Sequence, residues 1–170
     1  MMNHNYFMDM ALQHAQAALE QGEFPVGCVI TGGKAVIASG EREGSAGNTG
    51  NETDHAEIRA LRQLNWIFQA SSRPIDPGTL TLYCTLEPCL MCFGAIVIHG
   101  IRHIVYGCDD PMGGGTRCDR TTLPPLYRDA DLTITTGIRE KESRSLFRTY
   151  FKNPDNKYLK DTLLATHMLK

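Results

Sequence analysis

The stretch TLYCTLEPCLMCFGAIV, residues 81–97, carries the strongest structural signal in this chain of 170 residues. Its first part is an apolar run, which predicts a buried strand. A helix is predicted to start at Glu87 and Pro88, because proline suits the first helical turn. Cys89 and Cys92 are three positions apart. On that helix they share one face and can bind the same ion.

A second cluster, His55-Ala56-Glu57, is also predicted to lie at the start of a helix. Two thiolates and one imidazole form a three-ligand zinc set that leaves the fourth position for water, as in catalytic zinc sites. The positive end of a helix dipole stabilises thiolates and a bound hydroxide. The sequence therefore predicts one zinc ion per chain, held by His55, Cys89 and Cys92.

Glu57 is not needed as a ligand in this set. A carboxylate beside a zinc-bound water can accept its proton and deliver it later, so Glu57 is the predicted proton shuttle. Two other interpretations compete. A redox Cys-x-x-Cys pair would leave the His-Ala-Glu cluster unexplained. A structural zinc site would need a fourth ligand. Cys84 is near in sequence, but it lies in the apolar run and fits the core better.

Strands and helices alternate along the chain, which predicts an α/β sandwich around one sheet. The predicted strands span residues 25–31, 35–39, 80–85, 102–106 and 132–136. The predicted helices include residues 6–21, 55–68 and 139–151, with a last short helix over residues 158–169. The polar stretch of residues 40–53 is predicted to be a loop, and loops beside a site often carry specificity.

The composition is that of an ordinary globular protein, with a net charge of −2. This balance lacks the strongly basic footprint of a general nucleic-acid binder. No segment approaches the roughly 18 consecutive apolar residues of a membrane span, and the start of the chain does not look like a signal peptide. We therefore expect a cytoplasmic protein without membrane contact. The six cysteines should be reduced there, and clustered cysteines then favour metal binding or catalysis over disulfides.

At these residues the chain resembles the cytidine and deoxycytidylate deaminase superfamily. The similarity is greatest to the branch of bacterial tRNA adenosine deaminases, guanine deaminases and fungal-type cytosine deaminases. H-x-E followed by P-C-x-x-C is the signature of zinc-dependent base deaminases. The matching stretches are residues 24–29, 55–61, 82–96 and 105–107, followed by Asp110 and Pro111.

The resemblance implies a three-layer α-β-α sandwich around a five-stranded mixed sheet, with the last two strands parallel. It also implies a homodimer, and it gives the three zinc ligands and Glu57 the roles described above. Backbone groups at three further positions are implied to hold the base and the leaving amine: Ala56, Thr85 and Leu86. We expect residues 1–153 to form the catalytic domain and residues 154–170 to form an extension packed on it.

One departure from the family pattern lies after the second strand. Family members usually carry an asparagine there that contacts the base or sugar, whereas this chain has Arg42. Asn48 or Asn51 on the following loop could substitute. An arginine could also meet a phosphate or carboxylate, but the sequence favours a solvated loop charge. Arg42 and Asn48 are both retained as candidate substrate contacts.

The substrate is left open by these residues. Basic residues near the C-terminus are offset by acidic ones, unlike the basic RNA-contacting helix of the tRNA enzymes. The main hypothesis is hydrolytic deamination of a free base or nucleoside, such as guanine, cytosine or adenosine, with release of ammonia. The alternative is conversion of adenosine to inosine at the wobble position of a tRNA anticodon. A third hypothesis, a non-catalytic zinc or base-binding protein, is disfavoured by the presence of Glu57.

Overall fold

The computed structural model describes residues 3–47 and 50–170. Its centre is a five-stranded sheet with the strand order β2-β1-β3-β4-β5. The strands are β1 (Gly27–Gly32), β2 (Ala35–Glu41), β3 (Leu80–Leu86), β4 (His103–Cys108) and β5 (Thr133–Thr135). β1 is antiparallel to β2 and β3, while β4 is parallel to β3 and β5. The mixed sheet and its parallel last two strands are as predicted.

Helices cover both faces of the sheet, which gives the expected three layers. They are α1 (His4–Glu20), α2 (Ala56–Ala70), α3 (Leu90–Ile98), α4 (Pro125–Arg128), α5 (Glu140–Lys152) and α6 (Leu163–Leu169). Single 3₁₀ turns occur at Pro77–Thr79 and Arg120–Thr122. None of the described helices is long and apolar enough to cross a membrane.

Side chains of the central strands alternate between the two faces of the sheet, as the pleat requires. One face packs on α1 through a small cluster: Phe7, Met8, Ala11, Val29, Tyr83 and Val105. The opposite face forms the larger core with α2 and α3, to which the strands contribute Cys28, Ile30, Leu82, Cys84 and Ile104. α5 lies on the α1 side, where the Arg139 guanidinium pairs with the Asp9 carboxylate at 2.8 Å.

Two glycines allow helices to approach the sheet closely. A Cβ on Gly27 would lie 2.1 Å from the Ala11 carbonyl oxygen of α1, and a Cβ on Gly40 would lie 2.4 Å from the Ala56 carbonyl oxygen of α2. Neither distance is compatible with a side chain, so both positions need glycine. The Gly40 contact brings the first turn of α2 against the end of β2.

Helix ends are where the structure differs most from the sequence-based expectations. α2 begins after His55 and α3 after Cys89, and neither N-cap residue makes a side-chain capping hydrogen bond. Asp54, the residue before the N-cap of α2, is paired with Arg62. The last helix is shorter than expected, because residues 158–162 form turns before α6. α6 places Leu164, Ala165 and Met168 in the main core.

Candidate metal centre and substrate pocket

The three predicted ligands come from the N-termini of α2 and α3, which pack on the same face of the sheet. His55 and Cys89 are the N-cap residues of these helices, and Cys92 lies in the first turn of α3. The His55 Nδ1 atom is 3.6 Å from the Cys89 Sγ atom and 3.5 Å from the Cys92 Sγ atom. Two segments that are 34 or more positions apart in sequence thus present three donor atoms to one point.

The spacing of these donors fits zinc. With Zn–S bonds of about 2.3 Å and Zn–N bonds of about 2.0–2.1 Å, tetrahedral geometry separates sulfur and nitrogen ligands by about 3.6 Å. The distances from His55 to both cysteines agree with this value, and all three donor atoms lie within 4.8 Å of one another. In the described part of the chain no other group of three histidine, cysteine or acidic side chains has such an arrangement. His103, Cys108 and Cys118 therefore do not form a second metal site.

The electrostatics of the cluster favour a thiolate before any metal binds. Hydrogen bonds from the Cys92 thiol and from His55 lower the pKa of Cys89 to about 4. The hydrogen bond to Cys89 in turn raises the pKa of His55. Cys84, which the sequence assigned to the core, is fully buried on β3, and burial raises the pKa of its thiol. Cys84 therefore remains a neutral core residue.

Glu57 lies in the first turn of α2, beside the ligand cluster. Its side chain is only 3% exposed. Burial, and secondarily the negative charge of Cys89, raises the pKa of the Glu57 carboxyl group. A raised pKa makes a carboxylate a stronger proton acceptor, which suits general acid–base catalysis.

A cavity of about 180 Å³ opens beside the cluster, and His55, Glu57 and Cys89 form one end of it. Of the predicted base contacts, Ala56 and Leu86 line this cavity. The Thr85 side chain is buried, and its hydroxyl group accepts a hydrogen bond from the Gly27 N–H at 3.1 Å. Asn48 lies outside the described residues.

Arg42 is the clearest correction to the sequence analysis. A solvated loop charge was favoured, but the side chain is 2% exposed and lines the cavity. Its Nη1 atom donates to the backbone carbonyl oxygens of Glu43 and Asn51, the latter at 2.7 Å. Its guanidinium carbon lies 5.6 Å from the centre of the Tyr158 ring. Charge pairing and stacking therefore replace water around this cation.

The sequence analysis did not identify the residues that close the cavity. Glu52, from the polar loop, and three residues of the C-terminal extension form its wall: Tyr158, Leu159 and Leu164. The Tyr158 hydroxyl group donates to the Glu52 carboxylate at 2.8 Å. No local sequence pattern predicts this wall, because Glu52 and the residues of the C-terminal extension are more than a hundred positions apart in sequence.

The buried Glu87 side chain anchors the loop that forms another part of the cavity lining. The Glu87 carboxylate accepts hydrogen bonds from the Asp110 N–H at 3.1 Å, the Thr116 hydroxyl group at 2.5 Å and the Arg117 guanidinium at 3.0 Å. Asp110 in turn caps a tight turn by accepting hydrogen bonds from the N–H groups of Met112 and Gly113. This loop is thereby fixed against the start of α3.

A three-ligand zinc cluster at two helix N-termini, with a buried glutamate and a base-sized cavity, defines a zinc-dependent hydrolytic enzyme. Residues 1–108 match the family described as "Cytidine and deoxycytidylate deaminase zinc-binding region". The chain belongs to this family. It is a zinc enzyme that removes an amino group from a nucleobase by hydrolysis.

Relatives extend the match beyond the zinc-binding region. The "tRNA-specific adenosine deaminase 2" of Xenopus tropicalis is 40% identical over 155 residues, which cover 88% of this chain and 90% of that protein. A solved structure from a study of tRNA:A34 deaminases is 34% identical, with a TM-score of 0.68 over 83% of this chain and 98% of that one. The guanine deaminase of Nitrosomonas europaea has the same fold, with a TM-score of 0.65 over 86% of this chain and 83% of that one, at 22% identity.

Proposed function

We propose that this enzyme deaminates a small free base or nucleoside, such as guanine, cytosine or adenosine. The proposal rests on the cavity beside the zinc ligands, which measures about 180 Å³ and is lined on one side by residues of the C-terminal extension. Pockets for drug-sized ligands have volumes of about 300–1,000 Å³. The present cavity therefore suits a group of the size of a single base.

In this proposal Glu57 is the catalytic residue. Bound zinc supplies a hydroxide nucleophile at neutral pH by acidifying a coordinated water. Glu57 would accept one proton of that water and deliver it to the ring nitrogen, and it would then accept the remaining proton of the added hydroxyl group and deliver it to the departing amine. Oxygen adds to the amino-bearing ring carbon, the C–N bond breaks and ammonia leaves. The carbon retains the oxygen as a carbonyl group.

The remaining site residues orient the ring. Ala56 and Leu86 lie on the cavity wall next to the ligands, where their backbone groups can hold the base and the leaving amine. Thr85 contributes through its backbone, since its side chain is engaged with β1. Among the lysine and arginine residues of the described chain, Arg42 is the only one that lines the cavity. We keep Asn48 as a candidate contact from the polar loop.

A second candidate is adenosine at the wobble position of tRNA. It is supported by the tRNA-specific adenosine deaminase of Xenopus tropicalis and by the tRNA:A34 deaminase structure, both above 30% identity. The net charge of −2 does not favour it, because RNA binding relies on phosphate contacts to basic residues. This candidate separates cleanly from the first one by experiment.

The test is ammonia release by the zinc-loaded protein against guanine, cytosine, adenine, their nucleosides, and an anticodon stem-loop with adenosine at the wobble position. We expect turnover of a small compound with little dependence on salt. Turnover of the stem-loop alone, falling steeply between 50 and 200 mM salt as phosphate contacts require, would establish the tRNA candidate instead. No ammonia from any compound would contradict both.

We further propose a cytoplasmic homodimer with one zinc ion per subunit. All six cysteines are free thiols, and thiolate ligands of zinc persist in a reducing compartment. Several large apolar side chains on α3 and α4 are exposed to solvent: Leu90, Met91, Ile98 and Leu126. Exposed apolar side chains that share neighbouring helices are a candidate for an interaction surface.

We also propose that residues 1–153 and the extension of residues 154–170 work as one catalytic domain. The supporting observation is that the extension contributes both to the core, through Met168, and to the cavity wall, through Tyr158.

A further inference from the structure

Of the two cysteine ligands, Cys89 has the weaker support from α3. Cys92 lies inside the first turn of this helix, whereas Cys89 is its N-cap residue, with an extended backbone (φ −65°, ψ 170°) and no side-chain capping hydrogen bond. An N-cap residue is only half inside the helix, so the helical dihedral angles do not fix its side chain. The direction of the Cys89 thiolate therefore depends on contacts from outside α3.

A glycine-containing loop after β4 supplies such contacts. We call residues 110–117 the glycine loop. Gly114 of this loop forms an antiparallel bridge with Cys89, and the Gly115 N–H group donates to the Pro88 carbonyl oxygen at 2.9 Å. The glycine loop is thus paired, backbone to backbone, with the residues that carry the ligand.

The fit between the glycine loop and the start of α3 leaves no space for a side chain. A Cβ on Gly114 would lie 2.4 Å from the Glu87 Cδ atom, and a Cβ on Gly115 would lie 2.7 Å from the Leu90 Cα atom. Both distances are far below the optimal carbon–carbon separation of about 3.5–4.0 Å. Neither glycine has a positive φ, so close packing, and not backbone conformation, requires glycine at these two positions.

Glu87 fastens both ends of the glycine loop. Its side chain is fully buried, and its two carboxylate oxygens accept hydrogen bonds from the Asp110 N–H group, the Thr116 hydroxyl group and the Arg117 guanidinium. A buried carboxylate is costly unless such bonds satisfy it. Glu87 lies two residues before Cys89, so one side chain connects the loop to the segment that carries the ligand.

We propose that Glu87 is a positioning residue for the zinc site, which acts through the glycine loop on the backbone of Cys89 and so directs the Cys89 thiolate at the ion. Partners that orient metal ligands typically contribute 10- to 100-fold to metal affinity. The inference goes beyond the proposed deamination and holds for any base, because it concerns zinc binding and not substrate binding.

The experiment measures the zinc Kd of the full chain by competition with a chelator, and the fold of each variant is followed by circular dichroism. Glu87→Met keeps a long side chain but offers no comparable acceptor, and it should raise the zinc Kd about 10- to 100-fold. Glu87→Gln should keep most of the affinity. Its amide oxygen can accept from Asp110 and Arg117, and its NH₂ group can donate to the Thr116 hydroxyl oxygen.

Gly114→Ala tests the same contact from the side of the loop. The added methyl group collides with the Glu87 carboxyl group, so this variant should also raise the zinc Kd. Gly94→Ala is the matched control, because it adds a methyl group on α3 at an ordinary distance of 3.8 Å from the Tyr127 ring. Asp109→Asn removes the other carboxylate partner of Arg117. Both controls should keep the wild-type Kd.

A further control separates positioning from general stability. Met168→Ala removes a buried side chain from the core, so it should lower the urea midpoint but leave the zinc Kd unchanged. The visible absorption spectrum of Co²⁺ bound in place of zinc reports on the geometry of the thiolate ligands. This spectrum should change in Glu87→Met and Gly114→Ala and stay the same in Met168→Ala.

Two results would overturn the inference. One is a folded Glu87→Met protein with the zinc Kd and the Co²⁺ spectrum of the wild type. If that variant does not fold, Gly114→Ala and Thr116→Val decide in the same way, since each disturbs only one contact of Glu87. The other result is a rise in Kd that Met168→Ala shares, which would show that zinc affinity follows general stability. Failure of the proposed deamination would appear only in the ammonia assay, so the two failures are distinguishable.

Discussion

At the scale of single residues, the grouping of His55, Cys89 and Cys92 was predictable because the two motifs that contain them are local. His55 and Glu57 are two positions apart, and Cys89 and Cys92 are three apart, so each pair is visible in a short window. Arg42 lines the cavity beside the zinc ligands, but the sequence analysis favoured a solvated side chain and the structure buries it. Its burial depends on Tyr158 and Glu52, and no rule of local sequence relates these three residues.

Glu57→Gln tests the proton shuttle. The amide fills the same buried space but cannot accept the proton of water, so turnover of the identified substrate should fall by about 10²- to 10⁴-fold. Zinc content, measured by mass spectrometry, should stay at one ion per chain, because Glu57 is not a ligand. Glu41→Gln is the matched control, since Glu41 pairs with His14 away from the cavity. A Glu57→Gln variant with full activity would contradict the assigned role.

At the scale of elements, the strands were easier to predict than the helix ends. A short apolar run is enough to indicate a buried strand, and β3 and β4 lie close to their expected limits. α2 begins within one residue of its predicted start, whereas α3 begins at Leu90 and not at Glu87 and Pro88, where the preference of proline for a first helical turn had placed it. His55 and Cys89 occupy the N-caps of these helices, since their side chains are committed to the metal.

The connection between α1 and the polar loop gives a prediction about pH. The Glu23 carboxylate accepts hydrogen bonds from the N–H groups of Gly44, Ser45 and Ala46 at 3.1, 2.6 and 2.9 Å. Burial acts to raise the pKa of Glu23, but these hydrogen bonds and that of the Ser45 hydroxyl group outweigh it, so the pKa is lowered. A lowered pKa in the folded state stabilises the protein above the unfolded value of about 4.3.

Glu23→Gln should therefore reduce the free energy of unfolding by about 1–3 kcal/mol at pH 7. The difference from wild type should shrink as the pH falls through the lowered pKa of Glu23, because the wild-type carboxylate becomes protonated there. Urea unfolding between pH 3 and pH 7 measures both effects. Glu20→Gln, at an exposed position on α1, should change stability little. A loss of stability that does not depend on pH would contradict this account.

At the scale of the whole molecule, the alternation of strands and helices predicted an α/β sandwich around one sheet, and the family resemblance implied its three layers. Neither indicated where on the domain the C-terminal extension packs. Its contacts with the core and the cavity join residues from opposite ends of the chain, and hydrophobic periodicity carries no information about such distances. The short α6 has only seven residues, so its sequence pattern could not fix where it packs.

Met168→Ala tests whether the extension belongs to the same folding unit. Met168 is fully buried in the main core, and truncation of a buried methionine costs about 2–5 kcal/mol. If the chain is one cooperative unit, global unfolding by urea should remain a single transition with its midpoint lowered accordingly. Leu169→Ala, at the exposed neighbouring position, should have little effect. A separate early transition in the wild-type protein would show that the extension unfolds independently.

Ile98→Glu tests the proposed homodimer. Ile98 ends α3 and is 60% exposed, on the same helix as the exposed Leu90 and Met91. Burying a charge in an apolar interface without a partner costs several kcal/mol, so light scattering should report a dimer for the wild-type protein and a monomer for the variant. Tyr6→Glu adds the same charge at an exposed site on α1, which covers the other face of the sheet, and should leave the dimer intact.

Because the ligands Cys89 and Cys92 lie at the start of α3, a monomeric variant that keeps its zinc would show that subunit contact and metal binding are separable. A wild-type protein that is monomeric at micromolar concentration would refute the dimer directly.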